Sequence, residues 1–370
     1  MHGLYVHIPF CLRKCPYCSF YSVRFEEDTA EKYVQALCRN IEAYEGRGLK
    51  ADTLYFGGGT PSVLTAEQVG RVVDECRQVF VLDDAEITLE ANPCTVDEQK
   101  LRQLRTAGVN RISFGIQSAD DKRLGFLGRL HDFRTAENAV RAAAAAGFEN
   151  ISGDLMLGTA GENCDSLRAS VEALCALPLT HISAYMLKIE EGTPFDTDKV
   201  RSMTADDELM SDLYLAAVEQ LEKNGFVQYE ISNFAKEGYE SRHNNKYWLG
   251  EEYLGFGAAA HSYFEGVRYC CPPDVQRFIE SPLQPKEVTE EAPDRAEEYV
   301  LLGLRLSKGI SIDRIAELYS PAKSHDLKNA ALELAAHGLV RVRENVLSLT
   351  AEGFLVSNTI IAKFIDILSC

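Results

Sequence analysis

Three cysteines lie within eight residues near the start of the chain, at Cys11, Cys15 and Cys18. Thiolates this close along one loop can ligate a single metal centre. A structural zinc site uses four ligands, usually as two separated cysteine pairs, and no second CxxC pair follows in this sequence. An iron–sulfur cube held by three thiolates leaves one iron open for a small molecule. The spacing therefore favours an iron–sulfur centre, with zinc completed by His7 or a distant cysteine as the alternative.

Six short apolar runs that alternate with helical patterns provide the elements that must position these thiols. The predicted strands are residues 4–8, 53–56, 86–90, 111–116, 151–156 and 181–187. Helices are predicted over residues 29–44, 66–80 and 134–146. This alternation is typical of parallel βαβ units, whose functional groups gather at the carboxyl ends of the strands. We therefore predict an α/β fold, an open or partial (β/α)6 barrel.

A change in composition divides the chain into two predicted domains. Residues 1–280 would form the barrel with a C-terminal extension, and residues 281–294, which contain three prolines and several acids, read as a linker. In residues 295–370 we predict helices over 296–306, 312–318 and 329–337, and a hairpin over 339–350 that turns near Glu344 and Asn345. Helices followed by a hairpin predict a small, winged-helix-like α+β domain.

The charge balance restricts the partners that this chain can have. The chain has 38 Lys and Arg residues and 56 Asp and Glu residues. The resulting net charge of −18 disfavours binding to nucleic acid. No run approaches the roughly 18 apolar residues of a spanning helix, and the first residues lack the basic and apolar regions typical of a secretory leader. We expect a cytoplasmic protein. An apolar helix face at Ile360, Ile361, Phe364, Ile365 and Leu368 offers a peripheral membrane or acceptor contact, although packing within its own domain is favoured.

The cysteine motif CxxxCxxC, with Tyr17 before its last cysteine, resembles that of the radical S-adenosylmethionine (SAM) superfamily. The resemblance implies a 4Fe-4S cluster ligated by Cys11, Cys15 and Cys18. It also implies that the methionyl amine and carboxylate of SAM chelate the fourth iron. In that family, one electron from the reduced cluster cleaves SAM and yields a 5′-deoxyadenosyl radical.

Glycines and polar residues near the ends of the predicted strands match further positions of this superfamily. The resemblance implies SAM contacts at Tyr5, Gly58, Gly59, Thr60, Glu90, Gln117, Arg129 and Asp154. For the glycines, the alternative is a simple turn between strand and helix. For the polar residues, the alternative is an internal salt bridge or helix cap. The sequence assigns no catalytic residue.

Longer strings of residues resemble the oxygen-independent coproporphyrinogen III oxidase group. They are Tyr5-Val-His-Ile-Pro-Phe-Cys11, Ser183-Ala-Tyr185, Gly192-Thr-Pro194 and Tyr229-Glu-Ile-Ser-Asn-Phe234. The true oxidase of that group, HemN, has a fourth cysteine two residues after the third, where this chain has Phe20. A radical SAM enzyme that acts on a porphyrin is therefore the less favoured interpretation.

The string His243-Asn-Asn-Lys-Tyr-Trp248 fits the pattern HNxxYW, which resembles the HemW family of haem chaperones. This resemblance implies haem as a ligand, His243 as a candidate axial ligand of its iron, and transfer of haem to acceptors such as respiratory enzymes. A core histidine is the alternative for His243. His261 is a second candidate ligand, and it follows Gly257-Ala-Ala-Ala260 where relatives usually have Gly-Pro-Gly-Ala. A tRNA-modifying radical enzyme would share the cysteine motif, but the acidic charge opposes it.

Overall fold

A curved sheet of twelve strands forms the framework of the larger part of the molecule, and the computed structural model describes residues 1–369. Its central strands are β1 (His2–Ile8), β2 (Lys50–Gly58), β3 (Val81–Ala91), β4 (Arg111–Gln117), β5 (Asn150–Leu157) and β6 (His181–Met186). Each pairs in parallel with the next in chain order. On its free side β1 pairs with Tyr253–Phe256, and β6 pairs with Asn233–Ala235, so the sheet stays open. The predicted partial (β/α)6 barrel is confirmed.

Amphipathic helices between the strands cover the outer face of this sheet. They are Glu27–Glu42, Ala66–Val79, Glu98–Thr106, Asp121–Phe126, Phe133–Ala145, Cys164–Cys175, Asp198–Arg201 and Asp207–Lys223. The helix Ala66–Val79 begins at a capping box in which Thr65 and Gln68 exchange side-chain and backbone hydrogen bonds. Its apolar positions Val69, Val72 and Val73 are fully buried. The helices predicted from periodicity are thus present, with ends shifted by one or two residues.

The central strands alternate apolar and polar side chains, and the alternation gives the sheet two unlike faces. The apolar set packs beneath the helices and is buried: Leu4, Val6, Ile8, Leu54, Phe56, Leu89, Ile112, Phe114, Leu155 and Ile182. The opposite face carries Tyr5, His7, Tyr55, Thr88, Glu90, Arg111, Ser113, Asp154, His181 and Ser183. Parallel sheets are usually apolar on both faces. The concave face of this barrel, here called the lumen, is therefore built to hold polar groups.

Short antiparallel strands extend the sheet beyond Tyr253–Phe256. They are His261–Phe264, Val267–Cys270 and Glu287–Glu290, and the helices Arg242–Trp248 and Val275–Glu280 accompany them. The strand Glu287–Glu290 lies within residues 281–294, which the sequence predicted as a linker. Small paired strands also form at Phe10–Cys11 with Val23–Arg24, and at Val227–Gln228 beside Asn233–Ala235.

The C-terminal domain combines helices with a small antiparallel sheet. Its helices are Arg295–Gly303, Ile312–Leu318, Pro321–Ala336, Ala351–Leu355 and Ser357–Ser369, and its strands are Ile310–Ser311, Val340–Arg343 and Val346–Leu349. Glu344 and Asn345 both have positive φ at the predicted turn of the hairpin. The helix predicted at 329–337 begins earlier, because Ser320 caps it and Pro321 occupies its first turn. The winged-helix-like arrangement is confirmed.

The apolar face of the last helix packs inside this domain. Ile360, Ile361, Phe364 and Leu368 are all buried, and Ile365 packs against the same core. These residues therefore form the domain's core, which was the favoured alternative to a membrane or acceptor contact. Within residues 1–369, no helix has the length and apolar character needed to cross a membrane.

Candidate functional site

The three cysteines lie on the loop that follows β1, at the carboxyl end of the barrel strands. Cys11 ends the short strand Phe10–Cys11, and the backbone N–H of Cys18 donates to the carbonyl of Cys15 at 3.1 Å. All three side chains are partly exposed. Burial raises the pKa of the Cys18 thiol, and the neighbouring Cys15 and Cys11 raise it further. The three thiols therefore share one electrostatic environment.

The side chains around these thiols limit the kind of metal centre that the loop can hold. Within residues 1–369, no three side chains of His, Cys, Asp or Glu converge on a position that could hold one metal ion. Zinc needs all its ligands within about 2.0–2.3 Å of one point, whereas a cube of irons meets each thiolate through a different iron. His7 is also occupied, since its ring nitrogens contact the Tyr5 hydroxyl and the Tyr21 carbonyl. The donor set therefore favours the iron–sulfur interpretation.

Arg129 joins the cysteine loop to the end of β4. One guanidinium nitrogen lies 3.6 Å from the sulfur of Cys15 and 3.4 Å from the hydroxyl of Tyr17, and the other donates to the carbonyl of Gly115 at 2.7 Å. Gln117 lies beside it in a left-handed backbone conformation, with φ of 71°. The buried Nε of Arg129 and Oε1 of Gln117 have no partner within residues 1–369. Buried polar atoms without partners are costly, so a ligand that bonds to them would stabilise this region.

Two carboxyl groups lie inside the lumen below the cysteines. The Tyr55 hydroxyl donates to Glu90 at 2.8 Å, and the Ser113 hydroxyl donates to Asp154 at 3.2 Å. Burial raises the pKa of Glu90 to about 7 and also raises the pKa of Asp154. Each carboxylate can accept more hydrogen bonds than it receives here. The pair can therefore accept hydrogen bonds from a cationic ligand with amine and hydroxyl groups.

The glycine run after β2 is required by the protein's own packing. A Cβ on Gly58, which has φ of 109°, would lie 2.4 Å from the His7 ring, and one on Gly59 would lie 2.8 Å from backbone atoms of Phe10. Thr60 follows, with its hydroxyl 3.4 Å from the sulfur of Cys11. These glycines hold the cysteine loop against the end of β1. Their contact with SAM stays a prediction.

His243 lies at the other end of the lumen, on the helix Arg242–Trp248, which we call the plug. Its Nδ1 is 2.8 Å from the Thr53 hydroxyl and its Nε2 is 2.8 Å from the Tyr247 hydroxyl. The ring stacks on Tyr55 with centroids 5.0 Å apart and is 1% exposed, and burial lowers its pKa to about 3. Both ring nitrogens are engaged. His243 as an axial ligand stays a prediction, and it requires the ring to give up one of these bonds.

The plug is held by further charged and polar contacts. Glu86 accepts the backbone N–H groups of Arg242 and His243 at 3.2 and 3.1 Å, which satisfies the first turn of the helix. The Lys246 ammonium lies 2.8 Å from both Asp52 and Glu251. Although burial lowers the pKa of Lys246, these hydrogen bonds outweigh it and raise the pKa. The HNxxYW string therefore closes the amino-terminal end of the lumen, opposite the cysteines.

Several lumen residues were missed by the sequence interpretation. Arg111 is 1% exposed, and its Nε has no partner within residues 1–369. His181 bonds to Ser152 at 2.8 Å and to the Tyr229 hydroxyl at 2.9 Å. Such residues can be found in a sequence as polar side chains at every second position of a strand whose other positions are apolar, as in Arg111-Ile-Ser113-Phe114.

Comparison with known proteins agrees with this geometry. Residues 5–174 match the model of the radical SAM superfamily, and residues 291–356 match the HemN C-terminal domain. The "Heme chaperone HemW" of Bacillus subtilis is 35% identical over 378 residues, with 99% of each chain covered. This chain belongs to the HemW family. The HemW of Lactococcus lactis is 32% identical and covers 98% of this chain, with 97% of its own length matched.

The fold of this HemW-family chain is also that of a solved radical SAM enzyme. The coproporphyrinogen III oxidase HemN of Escherichia coli superposes with a TM-score of 0.83, covering 98% of this chain and 89% of the oxidase. The two sequences are 22% identical, so the likeness concerns the fold. It agrees with a partial barrel followed by a small C-terminal domain.

Proposed function

We propose that this protein is a cytoplasmic haem chaperone, which binds haem and passes it to acceptor proteins. It would hold a 4Fe-4S cluster and SAM at the end of the lumen that carries the cysteine loop, here called the mouth. The observation that carries the proposal is the three-cysteine loop above a polar lumen, in a chain 35% identical to a named haem chaperone over 99% of its length. Haem, SAM and the cluster are its ligands, and haem-requiring proteins are its partners.

Different residues at the mouth would bind the cluster and SAM. Cys11, Cys15 and Cys18 would each ligate one iron. When bound, the cluster supplies the electron for one-electron chemistry at SAM. Glu90 and Asp154 are hydrogen-bond acceptors that suit the ammonium and hydroxyl groups of SAM, whereas the Arg129 guanidinium suits its carboxylate. Tyr5, Gln117 and the run Gly58–Thr60 complete the SAM site in this proposal.

A radical enzyme that acts on a porphyrin is the second candidate. The fold shared with the coproporphyrinogen oxidase favours it. Phe20 opposes it, because an apolar ring that is 68% exposed stands where that oxidase carries a further cysteine. The net charge of −18 opposes a tRNA substrate, since phosphate binding needs cationic surface.

Anaerobic reconstitution followed by haem titration and transfer tests the proposal. We expect the wild type to bind haem and to deliver it to a haem-free acceptor protein, and Cys11→Ala to lose the cluster and most of the transfer. Cys175→Ala is the matched control, because that thiol is also partly buried but lies in an outer helix. Wild type that binds no haem, or transfer that survives without the cluster, would contradict the proposal. Porphyrin turnover coupled to 5′-deoxyadenosine would establish the second candidate instead.

A further inference from the structure

The turn that carries two of the three cysteines packs against an apolar cluster of its own. Pro16 and Tyr17 are the central residues of this turn, in which the Cys18 N–H donates to the Cys15 carbonyl at 3.1 Å. Tyr17 packs against a small cluster that is distinct from the main hydrophobic core. The buried members of the small cluster are Leu127, Leu187 and Phe195. The position of the turn therefore depends on contacts that the main core does not supply.

Phe195 contacts both central residues of the turn. It lies between β6 and the helix Asp198–Arg201, in residues 187–197, which we call the Phe195 loop. Its backbone N–H donates to the Pro16 carbonyl at 3.1 Å, and its ring centroid lies 6.1 Å from that of Tyr17. The Phe195 ring is 5% exposed. One residue thus holds Pro16 through its backbone and Tyr17 through its side chain.

The string Gly192-Thr-Pro194, to which the proposed function gives no role, directly precedes Phe195. The Thr193 hydroxyl donates to the Glu190 carbonyl at 2.7 Å, and the backbone N–H of Asp196 donates to the Thr193 carbonyl at 2.9 Å. The Asp196 carboxylate in turn accepts the N–H of the glycine at 3.2 Å. These bonds fold the string into a compact turn, because side-chain and backbone groups satisfy each other locally. The turn presents Phe195 to the cysteine loop in one orientation.

The same cluster also fixes the segment Leu127-Gly-Arg129, which contacts the turn a second time. Leu127 is fully buried in the cluster. A Cβ on Gly128, which has φ of 68°, would lie 2.7 Å from the Pro16 ring, so the backbone approaches the turn closely here. The guanidinium of Arg129 reaches Cys15 and Tyr17 from this segment. Loss of the Phe195 ring would therefore loosen both the turn and the segment that supports it.

We propose that Phe195 is a positioning residue for the iron–sulfur cluster. It fixes Pro16 and Tyr17, and through them the placement of the Cys15 and Cys18 thiols relative to each other. The assignment rests on the proposed function, because it requires these cysteines to ligate the cluster. Residues that orient metal ligands without binding the metal themselves typically change metal affinity by about tenfold to a hundredfold when they are replaced.

Cluster retention in the reconstituted full chain tests this assignment without SAM or haem. We expect Phe195→Ala to lose iron to a chelator about tenfold faster than the wild type, because the turn no longer holds its two thiolates in place. The electron paramagnetic resonance spectrum of the reduced cluster should also change, since it reports the geometry of the ligands. Phe195→Leu keeps an apolar contact with Tyr17 and should restore most of the retention and the wild-type spectrum.

Two further variants separate positioning from general destabilisation. Phe354→Ala removes an equally buried ring, 4% exposed, from the helix Ala351–Leu355 of the C-terminal domain. It should lower the denaturant midpoint as Phe195→Ala does, and leave the rate of iron loss and the spectrum unchanged. Thr193→Val keeps the shape of a partly exposed side chain but removes its hydrogen bond to Glu190. It should fold, and it should speed iron loss less than Phe195→Ala does.

The outcomes distinguish this assignment from the proposed function. Faster iron loss and a changed spectrum in Phe195→Ala, with Phe354→Ala like the wild type, support it. Wild-type retention and spectrum in Phe195→Ala, or equally fast iron loss in Phe354→Ala, overturn the assignment and leave the chaperone proposal standing. If Phe195→Ala does not fold, wild-type retention in Thr193→Val overturns the assignment in the same way. A wild type that holds no cluster overturns both.

Discussion

The two ends of the lumen differ in how completely their polar groups are satisfied. At the plug, both nitrogens of His243 are bonded, Lys246 contacts two carboxylates, and Glu86 accepts two backbone N–H groups. At the mouth, Gln117 and Arg129 carry buried atoms without partners within residues 1–369, and the cysteine thiols are partly exposed. Networks in which every polar group has a hydrogen-bond partner stabilise one conformation, whereas buried polar groups without partners are available to bind a ligand.

This difference distinguishes the cysteine motif from the HNxxYW string. Buried polar groups around the cysteine loop lack partners, as is typical of a binding site. Those of the HNxxYW string are hydrogen-bonded within the protein, as is typical of a structural element. Tyr55 connects them, because it stacks on His243 and donates to Glu90. Changes at the mouth should therefore affect ligand binding, and changes at the plug should affect stability.

The largest effect is expected at the mouth. Cys15→Ala removes one of three cluster ligands, and we expect iron bound after reconstitution to fall by about tenfold or more, because the remaining two thiolates cannot hold the cube. Iron and sulfide analysis with visible absorbance measures this. The free energy of unfolding of the metal-free protein should change by no more than about 1 kcal/mol. Full cluster content in Cys15→Ala, with Cys175→Ala as control, would contradict the assignment of this loop.

At the plug, His243→Ala should lower the free energy of unfolding by about 2–4 kcal/mol. It removes a buried ring, breaks two hydrogen bonds and leaves the Thr53 hydroxyl without its histidine partner. Denaturant unfolding of the metal-free protein measures this, and His325→Ala, at an exposed site, should change it by less than about 0.5 kcal/mol. If His243→Ala left the free energy of unfolding unchanged, the proposed structural role of the plug would be wrong.

Glu90, which Tyr55 connects to the plug, should make the stability of the protein depend on pH. Its pKa in the folded protein is about 7 against an ordinary 4.5, so the folded state holds the proton more tightly. The stabilisation is full below about pH 4.5 and is lost as pH rises through about 7. Glu90→Gln keeps the acceptor for Tyr55 but cannot ionise. Between about pH 5 and 8 it should gain on the order of 2 kcal/mol relative to wild type.

Denaturant unfolding of Glu90→Gln and wild type across this pH range checks the prediction. Glu230, whose pKa burial also raises to about 7, is present in both proteins and cancels in the comparison. Parallel curves for the two proteins would show that Glu90 does not titrate in this range. Because a cation favours ionised Glu90, SAM affinity of the reconstituted wild type should also rise with pH, and that of Glu90→Gln should not.

The smallest effect is expected at Ala259, in the loop that leads to His261. Ala259 has φ of 64°, a left-handed conformation that disfavours residues with a Cβ. Ala259→Gly should relieve this strain, partly offset by the greater freedom of glycine in the unfolded chain, for a net gain of about 0.5 kcal/mol. Thermal unfolding measures it, with Ala160→Gly in another loop as the comparison. A loss of stability would mean that the Ala259 methyl group contributes packing that outweighs the strain.

Much of the barrel could be predicted because its signals are local. The six central strands appear as apolar runs, and the helix Ala66–Val79 appears with its capping residues. The extension strands were missed, because segments such as His261–Phe264 contain four residues and too few alternations to detect. The length of the helix Pro321–Ala336 was underestimated, because its early turns lack a clear apolar face.

The sequence by itself determined the ligand types, their spacing on the cysteine loop and the family resemblance, since these depend on neighbouring residues. Only the tertiary structure decided which groups meet. The Thr53 hydroxyl and the His243 ring lie 190 residues apart in the chain and 2.8 Å apart in space. The pairing of His261 with Cys270 follows from strand register. Such contacts arise from the pairing of distant strands, and local sequence patterns do not encode that pairing.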